Sequence, residues 1–153
     1  MATVSVERTL DQLNSLLRGE ISAVETYKQA IEKVDDEHTS EATALRAIAQ
    51  EHGEHAQALR DEIRRLGGEP DDSSGAWGAW AKTVEGTAKI FGDTSALKAL
   101  KEGEEHGLKD YGEALDDLDE PARTLIRDRL IPAQQRHVEL LNGMISKFDR
   151  MGD

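Results

Sequence analysis

Two glutamates and three histidines stand where a helical chain would ordinarily carry apolar residues. Glu20 falls within Leu13, Leu17, Glu20, Val24 and Tyr27, and Glu104 within Leu97, Leu100, Glu104, Leu108 and Tyr111. Steps of three and four place each set on one helix face. His52 and His55 interrupt Leu45, Ile48, Leu59 and Ile63, and Gln134 and His137 interrupt Ile126, Leu130 and Leu141. A carboxylate on an inward face is costly unless it is paired or coordinated. Carboxylate and neutral imidazole together suit iron, manganese or zinc better than Cu(I). The expected metal ligands are Glu20, His52, His55, Glu104, Gln134 and His137, with Glu51, four residues before His55, as an additional donor. The same residues could instead close as a structural Glu–His hydrogen-bond network, because charge clusters of this kind also occur without a metal.

The elements that must position these groups are long helices. Gly19–Ile31 and Gly103–Leu115 form a weak internal repeat in which Glu20 matches Glu104 and Tyr27 matches Tyr111. The second and fourth helices align as well, His52 with Gln134 and His55 with His137. The first helix is expected to begin between Ser5 and Leu10, with Thr9 and Gln12 as a capping box, and to run to about Val34. Thr39 or Ser40 is expected to cap the second helix, which stops at Gly67-Gly68 with Pro70 beyond. Trp77, Trp80, Val84, Ala88 and Phe91 predict a short amphipathic helix on a crossover. Asp93 or Thr94 would cap the third long helix, Pro121 opens the fourth, and Pro132 is expected to kink it two residues before Gln134.

Antiparallel helices bring residues level when they are equally distant from the connecting turn. The midpoint of Glu20 and His55 falls in the turn 35–40, and that of Glu104 and His137 at Glu120-Pro121. Each glutamate is therefore expected level with the histidine of its own hairpin, with His52 and Gln134 one turn away on the same faces. The layout predicts an all-α antiparallel four-helix bundle: two helical hairpins joined by a long crossover, in one domain spanning 1–153.

Composition narrows the function. The chain has 31 acidic and 19 basic residues, a net charge of −12, and no cysteine. Thiolate metal sites and disulfides are excluded, and the surface repels nucleic acid and anionic membranes while attracting cations. No apolar run is long enough to span a bilayer, and the N-terminus lacks a signal-peptide pattern. A cytoplasmic protein with divalent metal ions as partners, and neither nucleic acid nor membrane, is expected.

The segments LLRGEISAVETY, EHGEHAQALRDEIRRLGGEP, EGEEHGLKDYGEAL and LIPAQQRHVELL carry a resemblance to the ferritin-like superfamily, closest to its small bacterial four-helix-bundle proteins of poorly defined function. The resemblance covers nearly the whole chain. It implies a ferritin-like fold and a site for iron (Fe2+/Fe3+), or alternatively Mn or Zn. Glu20 and Glu104 would be the terminal carboxylates, and His55 and His137 the imidazole ligands. It also implies ferroxidase chemistry or iron handling under stress, and leaves homo-oligomerisation open. The chain departs from the di-iron pattern where bridging glutamates belong, carrying His52 and Gln134 there. That departure favours one tightly held metal or a looser dinuclear site. The competing reading is a non-catalytic stress or interaction protein whose polar layer is a hydrogen-bonded core.

Overall fold

A computed structural model describes residues 4–73 and 94–151. The expected crossover helix around Trp77, Trp80, Val84, Ala88 and Phe91 lies outside these residues. The described chain forms α1 (Val6–Glu32), α2 (Thr39–Arg65), α3 (Ser95–Ala114), a 3-10 turn (Leu115–Asp117), α4 (Glu120–Leu125), a π turn (Ile126–Leu130) and α5 (Ile131–Met151). The last three run on as one helical arm, 120–151. The result is the expected all-α bundle, with α1 packed along α2, α3 along α5, and α1 against α3. None of the described helices is long and apolar enough to cross a membrane.

The helix ends correct several expectations. Ser5 rather than Thr9 caps α1, its hydroxyl accepting the Arg8 N–H at 3.1 Å. Thr9 and Gln12 instead reach across the bundle, donating to the backbone oxygen and the carboxylate of Asp117. α1 ends at Glu32, two residues short of Val34. Neither Thr39 nor Ser40 caps α2; His38 holds the N-cap position without a side-chain capping bond, and Ser40 donates to Glu41. Thr94 holds the N-cap position of α3 but directs its hydroxyl to Asp149, on α5. On the surface of α3, His106 lies 3.5 Å from Asp110. In the turn before α2, His38 pairs with Asp35 and sets its ring edge against Phe148.

Other boundaries follow the sequence. α2 stops where Gly67 adopts φ +80, a left-handed conformation that glycine enters at little cost. The Gly68 N–H then reaches back to Ile63 O at 2.9 Å, and a Cβ on Gly68 would stand 2.6 Å from Leu10. Asp119 caps α4 by accepting the Ala122 N–H, with Pro121 in the first turn, where a missing N–H costs nothing. The irregularity expected at Pro132 takes the form of the π turn upstream, at Ile126–Leu130. Proline forbids the bond to the carbonyl four residues earlier, and widening the preceding turn relieves the clash.

Two apolar clusters fill the interior. One gathers Tyr27, Leu45, Ile48, Leu97, Leu100 and Leu141; the other gathers Leu13, Leu17, Leu59, Tyr111, Ile126 and Leu130. Because the C-terminal part of α1 shares a cluster with the N-terminal part of α3, these helices run antiparallel. Each fully buried leucine or isoleucine contributes roughly 1.5–3 kcal/mol. The two clusters thereby clamp, from both ends, the polar layer that separates them.

Candidate metal centre

Each of the four helical arms contributes to that layer. Glu20, His52, His55, Glu104, Gln134 and His137 are all buried. Helical periodicity explains this: each lies three or four residues from a core neighbour on its own helix, so burying the stripe draws the polar group in with it.

His52 is the hub. Its Nδ1 lies 2.6 Å from Glu20 Oε2 and its Nε2 lies 2.6 Å from Glu104 Oε1. An ionised carboxylate only accepts, so an imidazole bonded to one on each side donates from both nitrogens and is an imidazolium. Burial alone would push its pKa down, but Glu104 and Glu20 overcome this and hold it well above the usual histidine value. The carboxylates respond in the opposite sense. Burial would raise Glu20 and Glu104, yet the facing histidines, His52 foremost, hold Glu104 down at about 2 and Glu20 lower still. His52 is thus at the centre of the layer, not one turn away from the glutamates as the sequence reading placed it.

The hairpin pairs are level, as the turn midpoints predict. His55 Nδ1 lies 3.8 Å from Glu20 Oε1, and His137 Nδ1 lies 3.4 Å from Glu104 Oε2. His137 Nε2 faces Glu51 Oε1 at 2.9 Å, so Glu51 reaches the layer from its edge, with Arg136 3.5 Å away on the outside. His55 Nδ1 is buried without a hydrogen-bond partner. Gln134 is buried beside the layer: its Nε2 donates to the Glu104 carbonyl at 3.1 Å and its buried Oε1, the atom through which an amide would ligate, has no partner. Gly107 makes that bond available, since a Cβ there would stand 2.4 Å from Gln134 Nε2.

Two residues outside the expected set complete the layer. The Tyr27 hydroxyl donates to Glu104 Oε1 at 2.7 Å, and the Tyr111 hydroxyl donates to Glu20 Oε1. Burial and the negative charge of the carboxylate to which each donates push both phenols well above their ordinary value, so they remain donors. The sequence held the signal in the spacing of seven from Glu20 to Tyr27 and from Glu104 to Tyr111. Helical side chains lean toward the N-terminus, so each tyrosine leans back toward the layer. Each reaches the other repeat's glutamate, closing a chain Tyr27–Glu104–His52–Glu20–Tyr111.

The donor atoms fall into two groups compact enough to surround an ion. Glu20, His52 and His55 form one and His52, Glu104 and His137 the other, with ligand atoms in each within 4.8 Å of one another. A cavity between α1 and α3, lined by Gly19, Ala23, Gly103, Gly107, Tyr111 and Gln134 among others, borders Glu20 and His52; its empty volume, including space open to solvent, is about 330 Å3.

Comparison with known proteins agrees with the architecture. The chain is similar to the dodecameric thioferritin of Bacteroides fragilis, a bacterioferritin-related protein. The TM-score is 0.77 and the identity 21%, over 98% of this chain and 91% of that one. It is also similar to a ferritin-like, diiron-carboxylate protein from Bacillus anthracis str. Ames. There the TM-score is 0.62 and the identity 19%, over 97% of each chain. No curated protein matches the sequence. Residues 8–117 match a family model described as Domain of unknown function (DUF2383). The fold is ferritin-like, and the chain belongs to the DUF2383 family.

Proposed function

We propose that this protein is a single-domain, cytoplasmic metal-binding bundle that takes a divalent ion, iron foremost with manganese or zinc as alternatives, into the layer between its helices. The observation carrying this reading is the pair of buried Glu/His groups that share His52. The donors fit such an ion: two carboxylates and three imidazoles, buried and convergent, with His55 Nδ1 lacking a hydrogen-bond partner. Glu20 and Glu104 would supply charge, His55 and His137 terminal nitrogens, and Glu51 would orient His137 from outside. Gln134 stands behind Glu104 as a support for its backbone.

Iron held there would supply one-electron Fe2+/Fe3+ chemistry, which makes iron oxidation or buffering under stress the activity to test. The chain's own part is to hold the carboxylates ionised, to orient them through Tyr27 and Tyr111, and to exclude water with the apolar clusters on both sides. The Bacteroides fragilis protein is described as dodecameric, and a homo-oligomer is the corresponding expectation here, to be read from the mass in solution.

A second reading is favoured by one observation. His52 as an imidazolium donates to both carboxylates from its two ring nitrogens, so the metal-free layer already holds a buried hydrogen-bonded chain. The decisive experiment is elemental analysis after loading with ferrous iron, on the wild type and on a His55→Ala/His137→Ala variant. Bound iron that the variant loses supports the metal centre. A folded wild type that takes up no iron overturns it, and the layer is then a structural network.

A further inference from the structure

His52 presents its two ring nitrogens to different partners. Nδ1 faces Glu20 at 2.6 Å and Nε2 faces Glu104 at 2.6 Å. The two groups with metal-ligand spacing have only this residue in common. Each otherwise has its own carboxylate and its own second imidazole, His55 on one side and His137 on the other. Gln134, the counterpart of His52 in the internal repeat, offers no such two-sided link, because its Nε2 is bound to the Glu104 carbonyl and only its Oε1 is left.

Building on the metal-binding reading above, we propose that His52 is a bridging ligand between two divalent ions. Nδ1 joins Glu20 and His55 on one ion, and Nε2 joins Glu104 and His137 on the other. The bridge of this centre is therefore an imidazole ring, not a carboxylate. Both nitrogens of the ring can coordinate only after losing their hydrogens, so each ion that arrives displaces one ring proton from His52 to solvent. The charges then match. Glu20, Glu104, Glu51 and the deprotonated ring carry four negative charges against two divalent cations, which supplies the balance that bridging glutamates would otherwise provide. The ligand class is a borderline first-row ion that accepts imidazole readily, such as zinc or cobalt(II), alongside iron.

The test uses the intact protein, labelled in its histidine ring nitrogens and loaded with zinc sulfate, with zinc content and nitrogen NMR as readouts. The expected result is two zinc ions per chain and one histidine with both ring nitrogens metal-bound and no N–H. In His52→Gln that signal is gone and zinc content falls to one or less, with helicity confirmed by circular dichroism. If the variant does not fold, the wild-type spectrum still decides. Zinc bound while every histidine keeps an N–H overturns the bridge and leaves the metal centre standing. Absence of zinc also overturns the bridge; iron uptake then separates its failure from that of the metal reading.

Discussion

Replacing Tyr27 with phenylalanine isolates one bond of the polar chain. The ring is fully buried among Leu45, Ile48, Leu97 and Leu100, and phenylalanine preserves that packing. What is lost is a hydroxyl donating at 2.7 Å to the buried Glu104 carboxylate. A hydrogen bond to a charged group contributes about 1.5–3 kcal/mol. Glu104 keeps His52 at 2.6 Å and His137 at 3.4 Å, so it is weakened and not abandoned. The expected loss in the metal-free protein is about 2 kcal/mol, with an unchanged denaturant slope. In a chain of this size that corresponds to a fall in Tm of about 4–8 °C. Urea unfolding and calorimetry of wild type, Tyr27→Phe, Tyr111→Phe and the double variant complete the test. Because the two phenols act on carboxylates joined through His52, the double variant should depart from additivity by about 0.5 kcal/mol or more. A Tyr27→Phe protein as stable as wild type, or strictly additive losses, would refute the connected chain.

Two further outcomes follow from the same layer. Glu104 is lowered from 4.5 to about 2, so its contribution is present above pH 4.5 and is lost as pH falls toward 2. His52 is raised above 6.5, so its contribution is complete below 6.5 and is lost as pH climbs through its folded value. The layer therefore stabilises the metal-free protein most between about pH 4.5 and 6.5, and urea midpoints across a pH series should decline on both sides; a steady rise from pH 5 to 9 contradicts this assignment. Gly112→Ala, exposed with nothing within 4 Å of the new Cβ, should stabilise by about 0.5–1 kcal/mol. Gly107→Ala should show none of that gain, because its Cβ would displace the Gln134 amide; equal urea midpoints for the two variants would refute the close approach.

Much of this arrangement is legible in the sequence because it depends on single-helix periodicity and turn position. Four stripes give four amphipathic arms, and equal distances from a turn place Glu20 with His55 and Glu104 with His137. The remainder depends on relations between hairpins. Whether His52 or His55 points nearest the bundle axis is set by the rotation of α2 about its own axis, which periodicity alone leaves open. The tyrosine bonds require knowing that α1 lies antiparallel to α3. The Thr9–Gln12 capping box failed for a related reason: both side chains are engaged by Asp117, more than a hundred residues away, while Ser5 caps the helix locally.

The crossed tyrosines have a consequence for how the chain comes together. The hairpin holding Glu20 and His52 is made first, but the phenol that completes Glu20 arrives only with α3. Until then this hairpin harbours a carboxylate it cannot fully satisfy, and the later hairpin is in the same position with Glu104 until Tyr27 reaches it. Each half is the other's missing reagent. The fold is thereby proofread at docking: only a partner set antiparallel and in correct register delivers a hydroxyl to both carboxylates at once, and a mismatched pairing leaves two buried charges without their donors.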